Sequence, residues 1–128
     1  IKKLNKKVGI ITGRGKKLIE KRLNEVGINL IYDNQAHKAS AYNKIKQHFK
    51  VEDYQIAYIG DDIIDLAPIK MAGFSCTVAN ALDIVKQKVD YTTKKHGGNG
   101  AVREVIDLII QDQGFEQEIL DFYENLIE

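Results

Sequence analysis

Apolar positions along this chain follow two rhythms. Short apolar runs, partly β-branched, occur at 8–11, 29–32, 56–59, 74–78 and, more briefly, at 89–92. Runs this short read as strands. Between them apolar residues recur every three or four positions, the spacing of a helix with one buried face. Leu18, Ile19, Leu23 and Val26 predict a helix over 16–26, with Gly27 suited to its C-cap. Ala41, Ile45 and Phe49 predict one over 38–49. Val102, Val105, Ile106, Ile109 and Ile110 define an apolar side over 101–111, and Ile119, Phe122, Tyr123 and Leu126 define another over 115–127. Two shorter helices are expected at 68–72, opened near Pro68 and ended by Gly73, and at 81–88. Residues 1–7 read as the basic, amphipathic end of a helix, 51–54 as a linker and 96–100 as a flexible glycine-rich loop. Strands alternating with helices predict a single α/β domain over 1–128, a mostly parallel sheet with helices on both faces.

In such a sheet, ligands bind outside the carboxyl ends of the strands. Chain order puts three polar loops at that edge: 12–15, 34–38 and 60–65. Composition adds little to this picture but excludes several alternatives. The chain has 128 residues, 44% hydrophobic and 29% charged, which is ordinary for a globular domain. A net charge of +1 gives no case for nucleic acid, and Lys2, Lys3, Lys6 and Lys7 fit a solvated helix face. The single cysteine, Cys76, lies in an apolar run and reads as a buried thiol. One cysteine allows no internal disulfide, which fits a reducing cytoplasm. No apolar stretch is long enough to span a bilayer. No membrane or nucleic-acid partner is therefore expected.

The densest chemistry lies at Gly60-Asp61-Asp62-Ile63-Ile64-Asp65. Three carboxylates follow a strand within a few residues, and they repel one another unless something positive sits among them. Mg²⁺ suits oxygen ligands of this kind. An acidic turn with Asp62 or Asp65 as helix N-cap explains the same residues. Thr12 offers a hydroxyl beside the N–H groups flanking Gly13, a setting for a phosphate oxygen. On local evidence the role of N-cap of the 16–26 helix comes first. Arg14 can pair bidentately with phosphate or carboxylate, or simply face solvent, and Lys38 can offset phosphate charge or be one more solvated helical lysine. His37 reads first as a surface histidine, and a histidine beside Lys38 could also act as a group that changes charge near neutrality. Hydroxyl, amine and carboxylates together can hold a phosphate oxygen, offset its charge and bind Mg²⁺. A nucleophile paired with a base is not evident.

Ile10-Ile11-Thr12-Gly13-Arg14, Lys38 and Tyr58-Ile59-Gly60-Asp61-Asp62-Ile63-Ile64-Asp65 resemble motifs II, III and IV of the haloacid-dehalogenase phosphatase superfamily. Gly97-Gly98-Asn99-Gly100-Ala101-Val102-Arg103-Glu104 is similar to a signature of its capless 3-deoxy-D-manno-octulosonate 8-phosphate (KDO 8-phosphate) phosphatases. The resemblance covers about 8–110 and implies a Rossmann-like fold. It implies Mg²⁺-dependent hydrolysis of a sugar-acid phosphate through an aspartyl-phosphate, as in lipopolysaccharide synthesis. Thr12 and Lys38 would meet the transferring phosphoryl group, and Asp61 would be a metal ligand supported by Asp62 and Asp65. Gly13, Arg14 and Arg103 would face the substrate. A homotetramer is implied, with the glycine-rich loop and the C-terminal segment near a neighbour's site.

Asn99 stands where that signature has arginine, and related subgroups act on sialic-acid-type 9-phosphates. The superfamily's first motif, Asp-x-Asp-Gly-x-x-Thr, carries the nucleophile on the central strand of the sheet and belongs before Ile1. The expectation is therefore a C-terminal portion of a longer protein, inactive alone. A non-catalytic module, such as the tail domain of a nucleotidyl-sugar synthetase, or a plain small-anion-binding domain is the competing reading.

Overall fold

A computed structural model describes residues 7–11, 31–32 and 38–114, with Ile31 described in its backbone only. The helices expected at 16–26 and 115–127 lie outside the described residues, as do Thr12, Gly13, Arg14 and His37. Two parallel strands, β1 (Ile10–Ile11) and β2 (Ile31–Tyr32), pair with Ile10 opposite Ile31. Three more form a second parallel sheet in the order β3 (Ala57–Ile59), β4 (Phe74–Thr77), β5 (Tyr91–Thr92). Tyr58 lies opposite Ser75, and Cys76 opposite Tyr91. The first long helix, α1 (Lys38–Phe49), occupies the predicted span. It packs on β1, where Ile45 reaches the backbone of Gly9. Helix α2 (Leu66–Met71) links β3 to β4, α3 (Asp83–Lys86) links β4 to β5, and α4 (Ala101–Asp112) follows β5. Parallel strands joined by helices are the expected α/β architecture. Among the described residues, β1 and β3 belong to separate sheets and are not hydrogen-bonded to each other.

The differences from expectation have local causes. The 51–54 linker holds a 3₁₀ turn, Asp53–Gln55, in which the Gln55 side chain accepts from the Glu52 N–H at 2.9 Å. That turn is tied to α1, because the Tyr42 hydroxyl donates to Asp53 at 2.8 Å and the Lys46 amine at 3.2 Å. The helix expected at 68–72 begins two residues earlier, after a 3₁₀ turn at Ile63–Asp65. The 81–88 helix shrinks to α3, which buries Val85 alone and leaves Ile84, and Leu82 just before the helix, exposed. The strand expected from 89 starts at Tyr91. Asp90 instead uses its carboxylate to accept from the Ser75 N–H and hydroxyl, at 2.9 and 3.2 Å. On α4 the buried residues are Ala101 and Val105, while Val102 is 55% exposed, so the apolar side is narrower than its spacing suggested.

The core lies around β4. Ser75, Cys76, Thr77 and Val78 are buried in succession, with Ile69, Val85, Ala101 and Val105 around them. A strand buried on both faces shows as an unbroken run rather than as alternation, which is the mark of a parallel sheet covered by helices. Cys76 is the buried free thiol expected of it. Among the described residues no helix is long and apolar enough to cross a membrane.

Candidate functional site

The site forms where β3 ends. The Gly60 N–H continues the ladder to the Cys76 carbonyl at 3.1 Å, and the chain then turns through Asp61 and Asp62 into the 3₁₀ turn. Only glycine fits at 60, since a Cβ there would lie 2.4 Å from the Asp65 Cγ. Asp65 is the centre of the turn. Its Oδ2 accepts the N–H groups of Asp61 and Asp62, at 3.0 and 3.2 Å. Its Oδ1 accepts the Tyr58 hydroxyl at 2.6 Å and the Lys38 amine at 2.8 Å. The carboxylate is 2% exposed and the Lys38 side chain 10%. Burial alone would raise the Asp65 carboxyl, but Lys38, Tyr58 and the Asp62 N–H outweigh it and hold the carboxyl below its ordinary value. The Tyr58 hydroxyl is pushed up, first by burial and then by its bond to Asp65.

The positive group among the three acids is thus Lys38, delivered by the first residue of α1. The acids themselves have separate tasks. Asp65 is fully committed to the turn and to Lys38. Asp62 caps the turn, accepting the Ile63 N–H at 2.6 Å. The N-cap reading therefore holds for Asp62, whereas Asp65 makes no side-chain cap bond to α2. Asp61 is exposed and makes no side-chain hydrogen bond among the described residues.

A cleft of about 250 Å³ opens beside Asp61, lined by Ile11, Lys38, Ile59, Gly60, Asp61, Asp65 and Val78. It brings together the carboxyl ends of β1 and β3, the start of α1 and the residue after β4. Ile11 immediately precedes Thr12. Among the described residues no three His, Cys, Asp or Glu side chains converge as a metal cage. Mg²⁺ does not need one, because it keeps several waters and takes one or two carboxylates together with phosphate oxygens. Asp61 fits that use. Arg103 does not reach this cleft. It lies exposed on α4, where its Nε donates to Asp107 at 3.0 Å.

Beyond Val78 the cleft rim meets the glycine-rich loop. A Cβ on Gly97 would contact Val78 at 3.5 Å, and the Gly97 N–H donates to the Asn80 side chain at 2.8 Å. Glu104 gathers the root of the loop. It accepts the Tyr91 hydroxyl at 2.6 Å, the Lys94 N–H at 2.9 Å and the Lys95 N–H at 3.0 Å. Tyr58, Tyr91 and Glu104 were not singled out from sequence as contributors to this edge. The available signal was a tyrosine in each of the runs 56–59 and 89–92, since a tyrosine hydroxyl partly withdrawn from water calls for a partner.

Comparison with known proteins accords with this geometry. A profile of the haloacid dehalogenase-like hydrolases matches residues 24–106. The KDO 8-phosphate phosphatase of Yersinia pestis is 44% identical over 106 residues, which are 83% of this chain and 57% of that protein. The chain thus spans little more than half the length of the curated relatives it matches. The crystal structure of a Y. pestis KDO 8-phosphate phosphatase superposes with a TM-score of 0.82 at 44% identity, covering 84% of this chain and 58% of that one. The phosphatase of that type from Moraxella catarrhalis, solved with magnesium, phosphate and KDO, gives a TM-score of 0.87 at 38% identity, covering 94% and 70%.

Proposed function

Because the chain belongs to the haloacid dehalogenase-like hydrolase family, we propose that the whole protein is a Mg²⁺-dependent phosphomonoesterase that releases phosphate from KDO 8-phosphate. The observation that carries this reading is the Lys38–Asp65 pair set beside Asp61 in one cleft. Asp65 holds the Lys38 amine by one of its donors and leaves others for a phosphoryl oxygen. Lys38 then offsets charge where it accumulates during transfer. Asp65 is a poor ligand for anything further, because each of its oxygens already accepts two hydrogen bonds. The exposed Asp61 carboxylate would hold Mg²⁺, which supplies Lewis-acid polarisation of the phosphoryl group when bound.

Thr12 is assigned to the same phosphoryl group as Lys38. Gly13, Arg14 and Arg103 are assigned to substrate, and Asp62 to support of the Asp61 turn. The nucleophile is assigned to a part of the relatives that this chain does not span. A homotetramer working in the cytoplasm, in lipopolysaccharide biosynthesis, completes the reading. A subunit interface would give the exposed Arg103 a route to substrate that its own cleft does not.

Phosphate release by the whole protein tests the proposal, with KDO 8-phosphate compared against a sialic-acid-type 9-phosphate. Release from KDO 8-phosphate is expected to need Mg²⁺ and to fall at least about 100-fold in Asp61→Asn and Lys38→Ala, the scale of losing one electrostatic stabiliser. Mg²⁺ titration by calorimetry should show weaker binding to Asp61→Asn. Equal Mg²⁺ affinity, or preference for the 9-phosphate, would overturn the assignment concerned.

A further inference from the structure

We infer that Glu104 is a positioning residue, whose carboxylate sets the 93–100 loop at the Val78 rim of the cleft so that Lys95 meets a second anionic group on the substrate. The inference rests on the phosphatase reading and extends it to the far end of the phosphate ester. An octulosonate 8-phosphate carries its carboxylate at the opposite end of the carbon chain from its phosphate. Lys38 is committed to one end, because Asp65 fixes it inside the cleft. A second cation is then needed near the rim.

Lys95 is the cation there whose backbone is held through both its N–H and its carbonyl. Its N–H donates to Glu104 at 3.0 Å. Its carbonyl accepts the Thr93 hydroxyl at 2.6 Å and the Ala79 N–H at 3.4 Å. Ala79 follows Val78, which lines the cleft. The side chain runs across Gly100, where a Cβ would come within 3.3 Å of the Lys95 Cδ. Gly100 also adopts φ +96°, so glycine is required there for its backbone and for the room it leaves to Lys95. Among the described residues no carboxylate pairs with the Lys95 amine, whereas Arg103 nearby is paired with Asp107. The loop therefore has a fixed root, a cation with no carboxylate partner among the described residues, and a glycine tip. Beyond that tip a side chain at Gly98 would meet nothing within 4 Å. The same cation stands in a loop whose Asn99 carries no charge.

Steady-state kinetics of the whole protein on KDO 8-phosphate and on phenyl phosphate, which has no carboxylate, test this. Glu104→Gln and Lys95→Ala are expected to raise KM for KDO 8-phosphate about tenfold, equivalent to about 1.4 kcal/mol. The loss in kcat/KM should be at least about fivefold larger than on phenyl phosphate, and Lys95→Arg should restore most of it. Amide hydrogen exchange at Lys94 and Lys95 should quicken in Glu104→Gln. Equal losses on the two esters would make Glu104 a merely structural residue. Unchanged KM in Lys95→Ala, or unchanged exchange in Glu104→Gln, would each overturn the inference. A wild-type protein that hydrolyses phenyl phosphate but not KDO 8-phosphate would refute the substrate assignment and this inference with it. One that hydrolyses neither would refute the phosphatase reading itself.

Discussion

The turn after β3 and the loop after β5 each hang on one carboxylate. Asp65 collects two consecutive backbone N–H groups and the hydroxyl of Tyr58 from β3. Glu104 collects two consecutive backbone N–H groups and the hydroxyl of Tyr91 from β5. The donors match in kind and nearly in distance. What separates the two is water. Asp65 is buried and takes a fourth donor, the Lys38 amine, while the Glu104 carboxylate accepts from the exposed Lys94 and Lys95 and makes no ion pair among the described residues. Neutral donors suffice for a charge that keeps part of its hydration. A charge withdrawn from water needs an opposite charge as well. The buried corner therefore comes with a lysine of fixed position, which suits phosphoryl chemistry. The exposed corner comes with a loop held only at its root, which suits recognition.

Removing the two carboxylates should break this symmetry most visibly. Asp65→Ala leaves Lys38 buried without its partner, and a loss of about 3–5 kcal/mol is expected in urea unfolding. Glu104→Ala should shift the midpoint far less. Comparable shifts would mean that burial is not what distinguishes the corners. The hydroxyls offer a finer comparison. Tyr58→Phe removes a bond to a buried charged group and should cost about 1.5–3 kcal/mol. Tyr91→Phe should cost less than half as much, and the reverse order would undo the argument.

The smallest effect expected is a change in acid sensitivity. The Glu104 carboxyl lies below its ordinary value, first because Tyr91 donates to it and then because of the Lys94 N–H. Between that lowered value and about pH 4.3, the ordinary glutamate value, the unfolded chain binds more protons at Glu104 than the folded one. Its contribution is complete above about pH 4.3 and is lost as pH falls through the lowered value. Glu104→Gln should flatten the acid limb of a stability–pH curve by that part, and identical limbs would show that the Glu104 bonds do not persist in solution.

The sequence made the outline of both corners legible in unequal measure. The Lys38–Phe49 helix and the β3–β4–β5 strands announce themselves through period and apolar runs, because they are covered by packing that the pattern encodes. Gly60 and the three acids mark the site by type and spacing alone. Their division of labour was hidden, since Asp61, Asp62 and Asp65 look alike in a row. Which one is buried depends on α1, whose first residue lies 27 positions before Asp65. The partnership of Glu104 with Lys94 and Lys95 was hidden for a similar reason, because it joins a loop to the helix that follows. Short helices failed where few apolar residues anchored them, as between 81 and 88. Arg103 matches a signature, yet in this chain it pairs within its own helix.

The thiol of Cys76 gives the molecule a clock. It is the only cysteine, it has no exposure, and it sits in the middle strand of its sheet. Burial, with the Asp90 charge behind it, pushes its pKa up to about 12. An alkylating reagent needs the thiolate, so it must wait until β4 parts from its neighbours. The labelling rate then counts openings of the sheet and converts them to a free energy of local unfolding. The carbonyl of that same residue holds the Gly60 N–H at the root of the acidic turn. Whatever occupies the cleft and stiffens that turn will slow the clock, even when no turnover is taking place.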